Sequence, residues 1–261
     1  MGTFVLGLAL GVLAGVAAMW LGRRRPSHPS VESPSDPLAG RAELISTITH
    51  ELKNPIMAVK GLASTGSRLY ASLDDAERRD LFRLIDVEAG RLKLIADETS
   101  TAMKLDAGSL AYDRRDEDVG RIVEEAAWRT PVGDHPMRVT ADKDLVAAVD
   151  RMRLGEVVTH LVDNAAKFSP PEAPIDVHVG RADGGIRIDV ADAGPGIPPE
   201  RRATAFDRYG SWRPTGYEEA PGAGLGLSIA RAHVEAHAGR LDIVDAETRG
   251  TILRVWLPSG G

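Results

Sequence analysis

A histidine followed by an acid and an amide forms the first candidate reactive group of this 261-residue chain. His50 directly precedes Glu51, and Asn54 comes one helical turn later, so on a helix His50 and Asn54 share a face. A neutral imidazole is a good nucleophile near pH 7, and an adjacent carboxylate can take up its proton. His50 is therefore a candidate phospho-acceptor with its own helper groups. The alternative interpretation is an exposed polar residue on a helical bundle.

A glycine run forms the second candidate site. Gly222, Gly224 and Gly226 stand at the predicted start of a helix, where unpaired backbone amides and the helix dipole favour an anionic phosphate. A glycine run by itself is also typical of a flexible loop that ends in a helix. Its neighbours in the sequence decide between the two interpretations.

Those neighbours are a carboxylate, an amide and a lysine. Asp192 follows a predicted strand and can accept a hydrogen bond from an adenine amine, while Gly194 and Gly196 allow close backbone approach. Asn164 can supply a neutral oxygen to Mg²⁺, and Lys167 a positive charge to phosphates. Each has a simpler interpretation, as a turn or a solvated helix face. Their occurrence together predicts nucleotide binding by Asn164, Lys167, Phe168, Asp192, Gly194, Gly196, Ile197, Gly222, Gly224, Leu225 and Gly226.

Composition excludes several other chemistries. The chain has no cysteine, so disulfides, thiolate metal sites and cysteine nucleophiles are excluded. A formal net charge of −6 gives no reason to expect nucleic acid as a partner.

An uncharged segment at residues 3–21 is long enough to cross a bilayer, since a membrane helix needs about 20 apolar residues. Three arginines at 23–25 follow it, and nothing basic precedes it, which favours a retained anchor at 1–22 over a secretory signal. We expect a single-pass protein of the bacterial inner membrane with its catalytic part in the cytoplasm. A Pro- and Ser-rich linker at 23–39 follows the anchor.

Residues 40–107 carry two amphipathic stripes at three- and four-residue spacing, which predict two helices with a turn at about 67–75. Pro55 lies inside the first stripe and predicts a kink, because the period continues beyond it. A lone hairpin has too little core, so we expect two copies to form a homodimeric four-helix bundle.

Residues 110–259 have a mixed pattern of helices and strands. Helices are predicted at 118–129, 151–168 and from 224 to about 238, and strands at 175–179, 186–190, 241–244 and 251–257. Asp183, Gly184 and Gly185 predict a hairpin turn between the first two strands.

The chain resembles the bacterial two-component sensor histidine kinases over about 40–258. Residues 50–55 resemble the phospho-acceptor box, and residues 160–168 resemble the asparagine box. The first glycine box is matched by Asp192, Gly194 and Gly196, and the aromatic box by Phe206 and Tyr209. The second glycine box is matched by Gly222, Gly224 and Gly226.

The resemblance implies an α + α/β fold: a dimeric helical hairpin, then a GHKL-type α/β sandwich with a mixed sheet and a mobile lid at about 207–223. It implies ATP as substrate, Mg²⁺ at Asn164, and transfer of the γ-phosphoryl group to His50. The acceptor would be the receiver domain of a separate response regulator. Asn54 would orient a water for hydrolysis of the partner's phospho-aspartate. A separate membrane protein is a candidate sensor.

Two positions depart from the family pattern. His160 stands where a second asparagine is usual, and we expect it to leave ATP handling weakened or pH-sensitive rather than lost; His160 and Arg213 are further candidate site residues. Ala238 stands where a glycine is common. Two other functions remain open: a non-catalytic or phosphatase-type regulator, and an ATPase of the chaperone or anti-sigma type.

Overall fold

The computed structural model describes residues 37–208, 210, 212–218, 220, 222–246 and 249–259. The predicted anchor at 1–22, most of the predicted linker and Tyr209 lie outside these residues. Within the described part of the chain, none of the helices combines the length and apolar character needed to cross a membrane.

The first part of the described chain is a helical hairpin. Helix α1 spans Pro37–Leu69 and continues through Pro55, as the periodic pattern predicted, and helix α2 spans Asp75–Asp106. The start of α2 is set by a capping box, in which Asp74 accepts from the backbone of Glu77 and the Glu77 side chain accepts from the backbone of Asp74. The hairpin is therefore encoded locally.

The hairpin leaves part of its apolar surface exposed. Ile56, Leu84 and Met103, which belong to the predicted stripes, are 50%, 42% and 64% exposed, and Phe82 and Val87 are also exposed. A face of this kind needs a partner to cover it.

The second part is a sheet packed against helices. Its elements are strand β1 (Arg115–Asp118), helix α3 (Val119–Arg129), strands β2 (Met137–Ala141) and β3 (Val146–Val149), helix α4 (Arg151–Phe168), strands β4 (Ile175–Ala182) and β5 (Gly185–Ala191), helices α5 (Pro199–Arg202) and α6 (Gly226–Ala236), and strands β6 (Arg240–Asp245) and β7 (Thr251–Pro258).

The larger sheet has the order β2-β4-β5-β7-β6 and is mixed, because β2 runs parallel to β4 whereas the other neighbours are antiparallel. A second sheet pairs β1 with β3. Buried and partly exposed residues alternate along β7, so one face of the sheet packs on the core. The α/β sandwich expected from the sequence is confirmed.

The turn between β4 and β5 has the predicted chemistry. Asp183 and Gly184 have φ angles of 53° and 71°, so both central residues are left-handed, as a two-residue type I′ turn requires. This turn sets the register in which Val179 lies opposite Ile188.

Two buried histidines attach α6 to α4. His237 Nε2 accepts from the backbone N–H of Asp150 at 2.8 Å, and His233 Nε2 lies 3.0 Å from a Glu156 carboxylate oxygen. The other nitrogen of His233 meets the Tyr112 hydroxyl at 2.9 Å. These contacts hold the end of α6 against the start of α4.

Candidate nucleotide and phospho-acceptor site

The structure brings the predicted nucleotide residues together in one pocket. It lies between α4, the loop after β5 and the segment leading into α6. His160 and Arg213 also line it, as does Glu98 of the hairpin. Gly194 is the one predicted nucleotide-binding residue that does not line the pocket. The lining residues that the sequence predicted for the nucleotide are Asn164, Lys167, Phe168, Asp192, Gly196, Ile197, Gly222, Gly224, Leu225 and Gly226.

Helix α4 supplies one wall. Asp150 caps the helix by accepting from the backbone of Met152 and Arg153. Asn164 and Lys167 lie one and two turns after His160, so all three share a face. The Lys167 ammonium is 2.5 Å from the Asp163 carboxylate, which fixes the lysine at the edge of the pocket.

Asp192 forms the base of the pocket. Its Oδ1 accepts from the backbone N–H groups of Gly194 at 2.8 Å and Thr251 at 3.1 Å. Burial raises the pKa of Asp192, while these two hydrogen bonds act in the opposite direction. Both bonds end on Oδ1, so within the described residues Oδ2 is left for a donor such as the exocyclic amine of adenine.

The first glycine box contains glycine where two stretches of backbone pass close to each other. A Cβ at Gly194 would lie 2.5 Å from the carbonyl oxygen of Phe168, so a side chain is excluded. Gly250 approaches even closer, since its Cβ would lie 1.8 Å from the carbonyl oxygen of Asp192. The contact of Gly250 with Asp192 depends on the pairing of β5 with β7, two strands that are far apart in the sequence.

The second glycine box needs unusual backbone angles. Gly222 and Gly224 have φ angles of 138° and 69°, a region that favours glycine. Gly226 begins α6, and a Cβ there would lie 3.1 Å from Nδ1 of His160. Residues 222–226, the glycine segment, end at a helix N-terminus and therefore suit a chain of phosphates.

Arg213 organises the segment before α6. Its guanidinium donates to the carbonyl oxygens of Gly210, Trp212 and Gly222 at 3.0, 3.0 and 2.9 Å. Burial lowers the pKa of Arg213 from its ordinary value, and the charge of Glu51 opposes that shift. Among the described residues, the hydrogen bonds of Arg213 are therefore with its own loop.

A buried acid that sequence reasoning missed faces His160. Glu98 Oε1 of α2 lies 3.4 Å from Nδ1 of His160, and each side chain is only 9% exposed. Burial raises the pKa of Glu98 to about 7 and lowers that of His160 to about 4. His160 therefore stays neutral between pH 6 and 8, and Glu98 is the group that titrates there. The sequence did carry a signal for this buried acid: a carboxylate three residues after Ile95, inside an apolar stripe.

Helix α1, the acceptor helix that carries His50, reaches this pocket through Glu51. Its Oε2 accepts from the backbone N–H of Gly222 at 3.3 Å. His50 and Asn54 are both exposed on α1. His50 and its neighbour Glu51 point in different directions on a helix, so the Glu51 carboxylate meets the glycine segment rather than the imidazole.

The pocket also fits a magnesium ion held largely by phosphates. Mg²⁺ in phosphate sites uses few protein ligands and keeps several waters. The Asn164 amide makes no hydrogen bond to a described residue, which leaves its oxygen available, and no cluster of three or more His, Asp or Glu forms a metal cage in the described chain. The Asn164 oxygen would hold the ion, and the ion would neutralise phosphate charge.

Comparison with known proteins agrees with this geometry. Residues 40–108 match the model for the His Kinase A (phospho-acceptor) domain, and residues 149–261 match that for the histidine kinase-, DNA gyrase B- and HSP90-like ATPase. The fold resembles the Acinetobacter baumannii histidine kinase AdeS, with a TM-score of 0.57 at 18% identity over 81% of this chain and 98% of that one.

Two relatives match across both domains. The sensor-like histidine kinase SenX3 of Mycobacterium tuberculosis is 30% identical over 226 residues, covering 85% of this chain and 54% of the relative. The sensor protein KdpD of Clostridium acetobutylicum is 28% identical over 221 residues, covering 84% of this chain and 25% of the relative. The chain thus spans a quarter to about half of these relatives. With both family models matched in order around the pocket and His50, the chain belongs to the sensor histidine kinases of two-component systems.

Proposed function

We propose that this protein is an ATP-dependent histidine kinase that phosphorylates its own His50 and passes the phosphoryl group to an aspartate of a separate response regulator. The observation that carries the proposal is the hydrogen bond from Gly222 N–H to Glu51. It joins the residue beside the acceptor histidine to the segment best suited to bind phosphate. The exposure of His50 on the same helix leaves its imidazole open to a phosphoryl donor and then to a receiver domain.

Each pocket residue has a distinct part in binding ATP. Asp192 accepts from the adenine amine, and the backbone amides near Gly222, Gly224 and Gly226 receive the phosphates. Lys167 offsets part of their charge, and Asn164 would hold the Mg²⁺ that supplies the rest. Phe168, Ile197 and Leu225 supply apolar lining. Catalysis of phosphoryl transfer rests mainly on such positioning and charge neutralisation.

The phosphoryl transfer itself requires little more from the protein. A ring nitrogen of neutral His50 forms a bond to the γ-phosphorus, the bond from that phosphorus to the β,γ-bridging oxygen breaks, and ADP leaves. Glu51, the next residue in the sequence, is the proposed base for the imidazole proton, and its carboxylate must leave the Gly222 N–H to reach the ring. The phosphoryl group then passes from His50 to the aspartate of the receiver domain, which restores the neutral imidazole.

The working protein is proposed to be a homodimer at the membrane. The exposed apolar residues of the hairpin support a four-helix bundle formed with a second copy. The uncharged segment at 3–21 supports a single inner-membrane anchor with the described domains in the cytoplasm. Input would then come through the membrane segment or a separate membrane sensor.

A phosphatase activity toward the same regulator is a second candidate. Asn54 is exposed one turn beyond His50, on the surface where a receiver domain must bring its phospho-aspartate. An amide in that place can orient a hydrolytic water.

Incubation of the purified protein with γ-labelled ATP and Mg²⁺ tests the kinase proposal. We expect acid-labile label on the wild type and none on His50→Gln or Asn164→Ala. An unlabelled wild-type protein that nevertheless binds ATP would overturn the kinase proposal in favour of the phosphatase one.

A further inference from the structure

We propose that Glu98 is a positioning residue for this reaction: by its contact with His160 it orients the ATPase domain on helix α2, so that Glu51 and the glycine segment meet. The inference rests on the proposed kinase function and assigns a role to a residue outside every motif described above. Two observations support it: the contacts that α2 makes with the ATPase domain, and the chemistry of the Glu98–His160 pair.

Four residues of α2 form the docking face, at positions one and two turns apart. These residues are Glu98, Ala102, Leu105 and Asp106. Ala102 is fully buried in a small apolar cluster with residues of the glycine segment and α6, and Leu105 packs against that cluster. Asp106 forms an ion pair with Arg208, at the start of the segment expected to be the lid. Glu98 lies at the other end of the face.

Apolar packing alone does not orient the two surfaces, because the hydrophobic effect is non-directional. The cluster partners of Ala102 are aliphatic side chains, which carry no polar atom: Ala223, Leu225 and Ile229. The Glu98–His160 contact adds a polar pair with one favoured geometry, at the point where α2, α4 and α6 meet. Gly226 is part of this fit, since a Cβ there would lie 3.1 Å from His160 Nδ1 and 3.6 Å from Glu98 Oε1.

The surroundings of the pair, whose atoms lie 3.4 Å apart, favour two neutral partners over an ion pair. Burial is the main cause of the raised pKa of Glu98, with Lys167 opposing it and Asp163 and Glu51 adding to it. Burial likewise dominates the lowered pKa of His160, where Asp163 and Glu156 oppose it, and His233 and Lys167 add to it. A carboxylic acid can donate to Nδ1, and so can an amide.

This chemistry distinguishes two substitutions. Glu98→Gln keeps a donor of nearly the same shape toward His160. Glu98→Ala removes the partner and leaves a buried ring nitrogen unsatisfied. Asp97 is the matched control, because it is the adjacent carboxylate, is exposed and pairs with Lys93 on the outside of the helix.

The first readout separates positioning from nucleotide binding. In the purified protein, Glu98→Ala should keep the Kd of a non-hydrolysable ATP analogue within about threefold, while the labelling rate of His50 at saturating ATP falls about 10- to 100-fold, as misplacement predicts. Glu98→Gln and Asp97→Ala should stay within about threefold of wild type in both measurements.

The second readout follows docking without catalysis. Because the chain has no cysteine, the pair Asp106→Cys and Arg208→Cys reports contact of the two surfaces by the yield of cross-linking with a bifunctional thiol reagent, whose spacer replaces the length of the arginine side chain. We expect Glu98→Ala to lower that yield and Glu98→Gln to retain it. Should Glu98→Ala fail to fold, Glu98→Leu fills the same space without a polar end and takes its place.

Three results would overturn the inference. They are an unchanged labelling rate in Glu98→Ala, a loss of nucleotide affinity parallel to the loss of rate, and a Glu98→Gln variant as defective as Glu98→Ala. Failure of the kinase proposal looks different, since the wild type would then carry no label while the cross-linking yield still responds to Glu98.

Discussion

Burial gives two residues of this protein properties that their types do not suggest. Glu98, on a hairpin helix whose other acids are mostly exposed, titrates near neutral pH, and His160 does not. Asp192 combines burial with two backbone donors on one oxygen. Part of each environment comes from another element: Thr251 of β7 donates to Asp192, and Glu98 of α2 faces His160 of α4.

The stability of the protein should depend on pH through Glu98. Its pKa is raised from 4.5 to about 7 in the folded state, so its contribution is fully present below pH 4.5 and is lost as the pH rises through 7. Between pH 5 and 8 the free energy of unfolding of wild type should therefore fall by about 2–3 kcal/mol relative to Glu98→Gln. Urea unfolding of both proteins at several pH values measures this difference, and curves that stay parallel would contradict it.

Replacing Asp192 should weaken ATP binding. An amide offers one oxygen, so in Asp192→Asn either the backbone donors of Gly194 and Thr251 or the adenine amine must face an NH₂ group. We expect a loss of about 10- to 100-fold in affinity, corresponding to one or two unsatisfied groups. Equilibrium binding of a fluorescent ATP analogue measures it, and His50→Gln serves as the control that should bind normally. Equal affinities in Asp192→Asn and wild type would remove Asp192 from the adenine site.

At the scale of elements, the strongly periodic helices and the β4–β5 hairpin were predictable, because their signals are local. The predicted helix at 151–168 is confirmed as α4, with Asp150 as its cap. β1 was not predicted, since its four residues are all charged, and β2 and β3 were also missed. Parallel pairing of β2 with β4 depends on residues 38 positions apart, such as Val139 and Val177, which no local pattern reveals.

The end of α6 is a place where one substitution should stabilise the fold. Ala238 has a φ angle of 56°, and the N–H of the following Gly239 donates to Val234 O, which is the geometry of a left-handed helix cap. Because a side chain is strained there, Ala238→Gly should raise the free energy of unfolding by about 1 kcal/mol. Thermal or urea unfolding measures it.

The matched control lies inside the same helix. Ala232→Gly should lower the free energy of unfolding by about 1 kcal/mol, because glycine is unfavourable in a helix interior. Two substitutions of the same chemistry should thus act in opposite directions. Destabilisation by both would show that the φ angle of Ala238 carries no strain.

At the scale of the whole molecule, the contact between Glu51 and Gly222 joins the acceptor helix to the nucleotide pocket of the same chain. The docking face of α2 belongs to that chain as well. A dimer built from such subunits has each His50 next to the pocket of its own subunit.

We therefore expect phosphoryl transfer within one subunit. A heterodimer of a His50→Gln subunit and an Asn164→Ala subunit should carry no label, because neither chain has both a nucleophile and a complete pocket. A heterodimer of wild type with the His50→Gln/Asn164→Ala double variant should be labelled on the wild-type subunit. Label on the Asn164→Ala subunit of the first heterodimer would show transfer between subunits.

The sequence by itself determined the reactive groups, the glycine positions and the family, because each depends on residue type and short spacing. His50 with Glu51, the Asp192 motif and the second glycine box needed no tertiary information. Only the tertiary structure decided that Glu98 faces His160, that Glu51 reaches Gly222, and that Gly250 lies under Asp192. These contacts join residues that are far apart in the sequence; Glu51 and Gly222, for example, are 171 positions apart. Desolvation and hydrogen bonding there are set by packing, which spacing along the chain does not encode.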